Sequence, residues 1–232
     1  MAPLRFFSEN PTIQNYFSVW ESTPIMTYFK NTFIMVIVCV PFQLLFASTS
    51  AFAFTFYEFK GKEFLFTLFL TTMMIPGEVT LISNYATIQN MGLYNTYAAI
   101  TITSLVNVSA TFMLRQHMRS LPKELWEAAK MDGASSWQIL RKITIPQIMP
   151  SITICLFLSL TNAFKLFDQN LALTAGAPNK KTEMLALNIY NAFYSNATNL
   201  GIGQAKAVIF FLLVVLISLT QLSLTRKKEA QL

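Results

Sequence analysis

Five apolar blocks, at roughly 31–56, 64–84, 97–115, 148–168 and 204–224, are long enough to cross a bilayer, which takes about 20 helical residues. No other feature limits the fold so tightly. Backbone polar groups in lipid must find partners within a helix or a closed barrel, and segments of this length find them as helices. Short polar connectors separate the blocks. The chain therefore reads as an all-α polytopic membrane bundle of about five transmembrane helices. Composition agrees: 12% of the 232 residues are charged, about half the share in a soluble domain.

Lys and Arg placement orients the bundle. Lys60 and Lys62 lie between the first two blocks, and Arg115, Arg119, Lys123, Lys130, Arg141 and Lys142 between the third and fourth. Arg226, Lys227 and Lys228 follow the last. Alternate crossings bring all three groups to one side, the cytoplasm, together with the C-terminus. The connector over 85–96 has no charge, and that over 169–203 holds only Lys180, Lys181 and Glu183. The net charge of +6 is thus a topology signal and not a nucleic-acid footprint. The expected organisation is an extracytoplasmic segment over 1–30, a transmembrane domain over 31–224 with a cytoplasmic loop over 120–146, and a cytoplasmic tail over 225–232.

Several chemistries find no support. Cys39 and Cys155 lie inside apolar blocks, where cysteine behaves as a small hydrophobe. His117 is the single histidine, so no metal cluster or serine hydrolase site is in view. No Gly-rich loop ending in Gly-Lys-Ser/Thr appears, so the chain itself is not expected to hydrolyse ATP or to hold a cofactor.

The loop over 120–146 has helix signals of its own. Ser120 or Leu121 is placed to cap a helix, Pro122 sits near its first turn, and Glu124 and Glu127 suit its positive end. Gly133 is the natural stop, and Ser135 or Ser136 starts a second helix running towards Pro146. The prediction is a helix–turn–helix with a small apolar face at Ala128 and Ala129.

Within it, Glu127-Ala128-Ala129, three residues, Gly133, nine residues, then Ile143-Thr144-Ile145-Pro146 is similar to the EAA loop of permease subunits in binding-protein-dependent ABC importers. The one departure is Ile145, where that pattern has Leu. The resemblance implies that Glu127, Ala128, Ala129, Asp132, Gly133 and Pro146 dock and couple a cytoplasmic ATPase. It further implies a second permease subunit forming a heterodimer, ATP held by the ATP-binding subunits, an extracytoplasmic solute-binding protein, and residence in a bacterial plasma membrane. Such permeases have a core of six helices, and 1–21 lacks the basic and apolar pattern of a signal peptide. One first helix is therefore expected to be missing, with Asn10-Pro11 and Phe17-Ser18-Val19-Trp20 resembling the outer segment that follows it.

Other segments resemble the carbohydrate branch of these permeases. Met74-Ile75-Pro76-Gly77-Glu78-Val79 and Gly92-Leu93-Tyr94-Asn95-Thr96-Tyr97 look like one subunit type. Phe164 to Asp168, Thr174-Ala175-Gly176-Ala177-Pro178, Thr182-Glu183-Met184-Leu185 and Tyr190 look like the other, so the side of the heterodimer stays open. The implied substrate is a sugar or oligosaccharide; glycerol phosphate, a polyamine or a non-transporting scaffold role are the alternatives. Polar groups within apolar blocks mark a translocation path, since facing lipid is unfavourable. Gln43, Asn107, Thr161 and Asn162 are such groups, and Asn162 with Phe164, Phe167 and Asp168 is the expected sugar-lining set. The competing role for each amide is to tie neighbouring helices together.

Overall fold

The computed structural model describes residues 12–194 and 200–229, and these are helical with no strand among them. The expected motif at Asn10-Pro11 and the tail over 230–232 lie outside the described residues. After a short α1 (Gln14–Ser22), the 32-residue α2 (Ile25–Phe56) forms the central rod. It begins six residues before the expected boundary. Apolar residues surround α2 on all sides, as in a helix buried in a bundle or in lipid.

Next come α3 (Lys62–Thr71), a 3-10 turn (Thr72–Met74), α4 (Gly77–Asn90), α5 (Tyr97–Ser104) and α6 (Val108–Arg119). The loop holds α7 (Lys123–Met131), α8 (Ser136–Ile139), a π turn (Leu140–Thr144) and α9 (Ile145–Gln147). The chain continues through α10 (Met149–Phe164), α11 (Phe167–Leu173), α12 (Leu185–Tyr194) and α13 (Leu200–Glu229).

Among the described residues, three stretches are long and apolar enough to cross a membrane: Ile25–Phe56, Tyr97–Arg119 and Leu200–Lys227. The other two expected spans are not straight helices. The second bends by 100° between Met74 and Gly77; the fourth is entered through a 75° bend between Gln147 and Met149 and breaks at Lys165 and Leu166, before α11. At both bends proline intervenes: Pro76 precedes α4, and Pro150 opens α10. A proline lacks the N–H that would continue the preceding turn, so it starts helices readily and interrupts them readily.

The third span is interrupted too, at 105–107. The break costs little because its backbone groups find partners. Gln43 Nε2 donates to the Ser104 carbonyl at 2.6 Å, and Asn107 Oδ1 accepts from the Ala110 N–H at 3.0 Å. Asn107 thereby caps α6 inside the bundle.

Buried clusters fix the helix directions. At one end Ala47 and Ala51 of α2 pack with Ala110, Leu114 and Met118 of α6 and with Ile148 and Cys155. Further along, Val36 and Val40 pack with Ala163 and Phe164 of α10, and Phe210, Leu213 and Ile217 of α13 lie against them. Hence α10 runs opposite to α2, while Ile100 beside Met35 and Cys39, and Ala205 beside Ile25 and Tyr28, set the span of α5 and α6 and helix α13 parallel to it. The ends carrying Lys60, Arg119 and Arg226 therefore gather on one side, called here the basic end.

Candidate functional site

At the basic end the segment 120–146 folds as a helix–turn–helix, with local differences from expectation. Ser120 closes α6, and Pro122 takes the N-cap position of α7. Gly133 ends α7 with φ +81°, a region that favours glycine. Its N–H donates to the Lys130 carbonyl at 3.1 Å, and the Ala134 N–H to the Ala129 carbonyl at 3.0 Å. That double bond pattern is the Schellman stop. Two residues on, Ser135 Oγ accepts from the Gln138 N–H at 3.3 Å while Gln138 Oε1 accepts from the Ser135 N–H at 2.7 Å, a full capping box.

The outer face of this loop is open. Glu127, Ala128, Asp132 and Gly133 are exposed and Ala129 and Pro146 half-buried. Leu125, Met131 and Trp137 stand beside them, with Met131 89% exposed. A cavity of about 270 Å³ runs along the turn, lined by Asp132, Gly133, Gln138 and Lys142 among others.

The inner face of α7 reaches the bundle through a residue that helix signals do not single out. The Trp126 indole stacks on the Phe56 ring, centroids 5.3 Å apart and planes 10° from parallel. Its Nε1 is buried without an acceptor among the described residues, a cost of roughly 1–3 kcal/mol that the packing must offset. Beside it, buried Arg115 donates from Nη2 to Glu63 Oε1 at 2.5 Å and from Nε to the Phe54 carbonyl at 3.3 Å, with its guanidinium 3.7 Å from the Phe66 ring centroid. These contacts fasten α3 and α6 to the last turn of α2, around a cavity of about 620 Å³ that Phe56, Arg115 and Leu121 also border.

The expected path residues fall in different places. Asn162 is exposed and borders a cavity of about 140 Å³ with Asn107, Ser109, Met113 and Leu158. Asn107 Nδ2 donates to Ser159 Oγ at 3.2 Å, so this amide ties α6 to α10 while facing the cavity. Gln43 ties α2 to the break before α6. Phe164 is not on any open surface: it is fully buried, edge-on to Phe33 at 5.8 Å and to Phe210 at 6.4 Å. Phe167 is half-buried against Tyr190 at 4.9 Å, and Asp168 is exposed.

At the end opposite the basic one, the segment 174–185 is strapped down by buried polar side chains. Asn170 Nδ2 donates to Thr174 Oγ1 and to the Thr182 carbonyl, both at 2.9 Å, while its Oδ1 accepts from the Met184 N–H at 2.9 Å. From α2, Asn31 Nδ2 donates to the Glu183 carbonyl at 2.9 Å and Thr32 Oγ1 accepts from the Leu185 N–H at 3.0 Å. The Tyr97 hydroxyl lies 2.6 Å from both Asn31 Oδ1 and the Lys181 carbonyl.

Known proteins share this architecture. One chain of a bacterial ABC transporter involved in the import of the acidic polysaccharide alginate superposes with a TM-score of 0.77 at 19% identity, over 88% of this chain and 76% of that one. In sequence, the chain is 51% identical over 116 residues to "Probable starch degradation products transport system permease protein AmyD" of Thermoanaerobacterium thermosulfurigenes, covering 50% of this chain. It is 34% identical over 157 residues to "Arabinooligosaccharides transport system permease protein AraQ" of Halalkalibacterium halodurans, covering 67% of this chain. The matches span 39% and 56% of those two relatives' lengths. Residues 11–229, a range that includes every described residue, match the binding-protein-dependent transport system inner membrane component family, and the chain belongs to that family.

Proposed function

We propose that the chain is a pore-forming subunit of an ATP-driven importer for sugars or oligosaccharides. In this reading the basic end faces the cytoplasm and the C-terminus lies there, as the Lys and Arg distribution favours. The subunit pairs with a second permease, two ATP-binding subunits dock on the loop over 120–146, and a solute-binding protein delivers the sugar at the opposite face. ATP is bound and hydrolysed by the partners. The chain's own part is conformational: movement of α7 rocks the helices between inward- and outward-facing arrangements.

The observation that carries this reading is the exposed loop, with Glu127, Ala128, Ala129, Asp132, Gly133 and Pro146 in the helix–turn–helix described above. Its open apolar side chains, Leu125, Met131 and Trp137, need a partner more than water. For the solute, the relatives' names favour oligosaccharides. The cavity at Asn107 and Asn162 is lined by amides, a hydroxyl and apolar groups, with no cation among its lining residues. Such a lining suits neutral polyhydroxyl solutes better than phosphorylated ones. Asn162, Phe167 and Asp168 remain the candidates for the sugar path.

Purification in mild detergent tests the assembly. An ATPase and a second permease should co-elute with the chain in fixed ratio, and the ligand of the accompanying binding protein should be a sugar. Elution of the chain alone from membranes known to contain the ATPase would contradict the reading.

A further inference from the structure

Covalently, α7 is joined only to α6, through 120–122, and to α10, through the Gly133 turn, the π turn and the 75° bend. Both connections touch α2 only through the cluster around Ala47 and Ala51, which holds Ile148 and has Leu121 against it, whereas α7 itself meets α2 at Phe56. Like α13, α2 spans the bundle from end to end: 32 residues, about 48 Å as helix. At its basic end Phe56 stacks on Trp126, and at its other end Tyr28, Asn31 and Thr32 lie against the strapped segment 180–185.

We propose that Trp126 and Phe56 form a non-covalent joint through which movement of α7 is delivered to α2, and along α2 to the segment 180–185. The inference rests on the importer reading above and goes beyond it by naming the route. Within α7, Glu124, Leu125, Glu127, Ala128 and Lys130 are exposed, whereas Trp126 is half-buried. The near-parallel ring faces give the pair a large contact area and a defined orientation. Lys130 Nζ, 5.9 Å from the Trp126 ring centroid, adds a charge over the indole. On the other side Phe56 is locked by Phe52 at 4.9 Å and by the alanine-rich cluster of α2 and α6. Contacts on both sides of the Phe56 ring couple its displacement to the end of α2. Tight packing converts a small displacement into a rigid-body one, since cores do not deform continuously. Trp126 and Phe56 are accordingly positioning residues, acting through α2 and not on the solute.

The test uses the intact complex, purified with its own ATPase, in a background where Cys39 and Cys155 are alanine. Spin labels at Met26→Cys, in the first turn of α2, and Ile82→Cys on α4 report the distance between two exposed positions. ATP with vanadate, which traps the ATPases closed, is the probe. Without further change, trapping should alter that distance; Trp126→Ala should remove more than half of the change while the ATPase still co-elutes, and Trp126→Phe should restore it. Phe56→Leu, which keeps apolar volume but removes the stack, should behave like Trp126→Ala and serves if the alanine variant fails to insert. An undiminished distance change in Trp126→Ala or Phe56→Leu overturns the joint. So does loss of the ATPase in those variants, because the pair would then belong to the dock itself. If trapping moves nothing in the parent complex although the ATPase is bound, the importer reading fails, and the joint with it.

Discussion

Lys206 on α13 and Glu183 in the segment 174–185 are bridged by a single amide, that of Asn188. Lys206 Nζ donates to Asn188 Oδ1 at 2.9 Å, and Asn188 Nδ2 donates to Glu183 Oε1 at 3.1 Å. Asn191 Nδ2 supplies a second bond to the same carboxylate oxygen at 3.0 Å. All but Asn191 are buried. The bridge joins α12 and α13 to the segment that α2 also holds.

Removing one charge from such a set is worse than removing both, because the remaining charge stays buried without its counterpart. Lys206→Met should destabilise the subunit by about 3–5 kcal/mol. Adding Glu183→Gln should recover most of that loss. Thermal unfolding in detergent measures both, and a wild-type melting temperature for Lys206→Met would show that the bridge contributes nothing.

Labelling of single cysteines in a variant without Cys39 and Cys155 tests the orientation. Positions 130 and 141 should react only with reagent on the cytoplasmic side, and positions 90 and 180 only from outside. The motive is the gathering of Lys60, Arg119 and Arg226 at one end of the bundle. Reaction of position 130 from outside would invert the topology and remove the ATPase dock.

Gly133→Pro should abolish uptake while leaving the subunit in the membrane. Proline cannot take φ +81°, and it lacks the N–H that bonds Lys130. Leucine at Ala129 should act similarly by holding the ATPase away. Stimulation of ATP hydrolysis by loaded binding protein should fall in parallel in both variants. Normal uptake in both would reduce the loop to a linker.

Asn162→Ala separates path from packing. If the amide meets the solute, the change should raise the sugar concentration for half-maximal uptake or alter which sugars are carried, without loosening the ATPase. Asn107 already supplies the tie between α6 and α10 through Ser159, so stability should change little. A variant that only melts earlier would remove Asn162 from the path.

Local chemistry was legible in the sequence where neighbours decide it. Gly133 with the stop it forms, and Ser135 with Gln138, depend on residues within one turn, and all folded as their order implies. The apolar blocks located the helices, and Pro76 and Pro150 stand at two of their bends, where proline interrupts or starts a helix, but the angles of 100° and 75° are set by packing. The break at 105–107 contains no proline or glycine, and its carbonyl is satisfied by Gln43, sixty-one residues away. Phe164 looked like a lining ring because aromatic faces bind sugars, yet Phe33 and Phe210 enclose it. Trp126 had no signal of its own, since its meaning depends on Phe56, seventy residues earlier. Contacts between distant segments are set by how helices pack, and one-dimensional pattern does not hold that information.

Transport by the reconstituted complex tests the central claim most directly. The chain, with the permease and ATPase that co-elute with it, is placed in liposomes together with its binding protein loaded with that protein's own sugar. With ATP enclosed on the side of the loop over 120–146, labelled sugar should accumulate against its gradient, and Gly133→Pro should stop accumulation. Equal sugar entry with and without ATP, or entry unaffected by Gly133→Pro, would contradict the account.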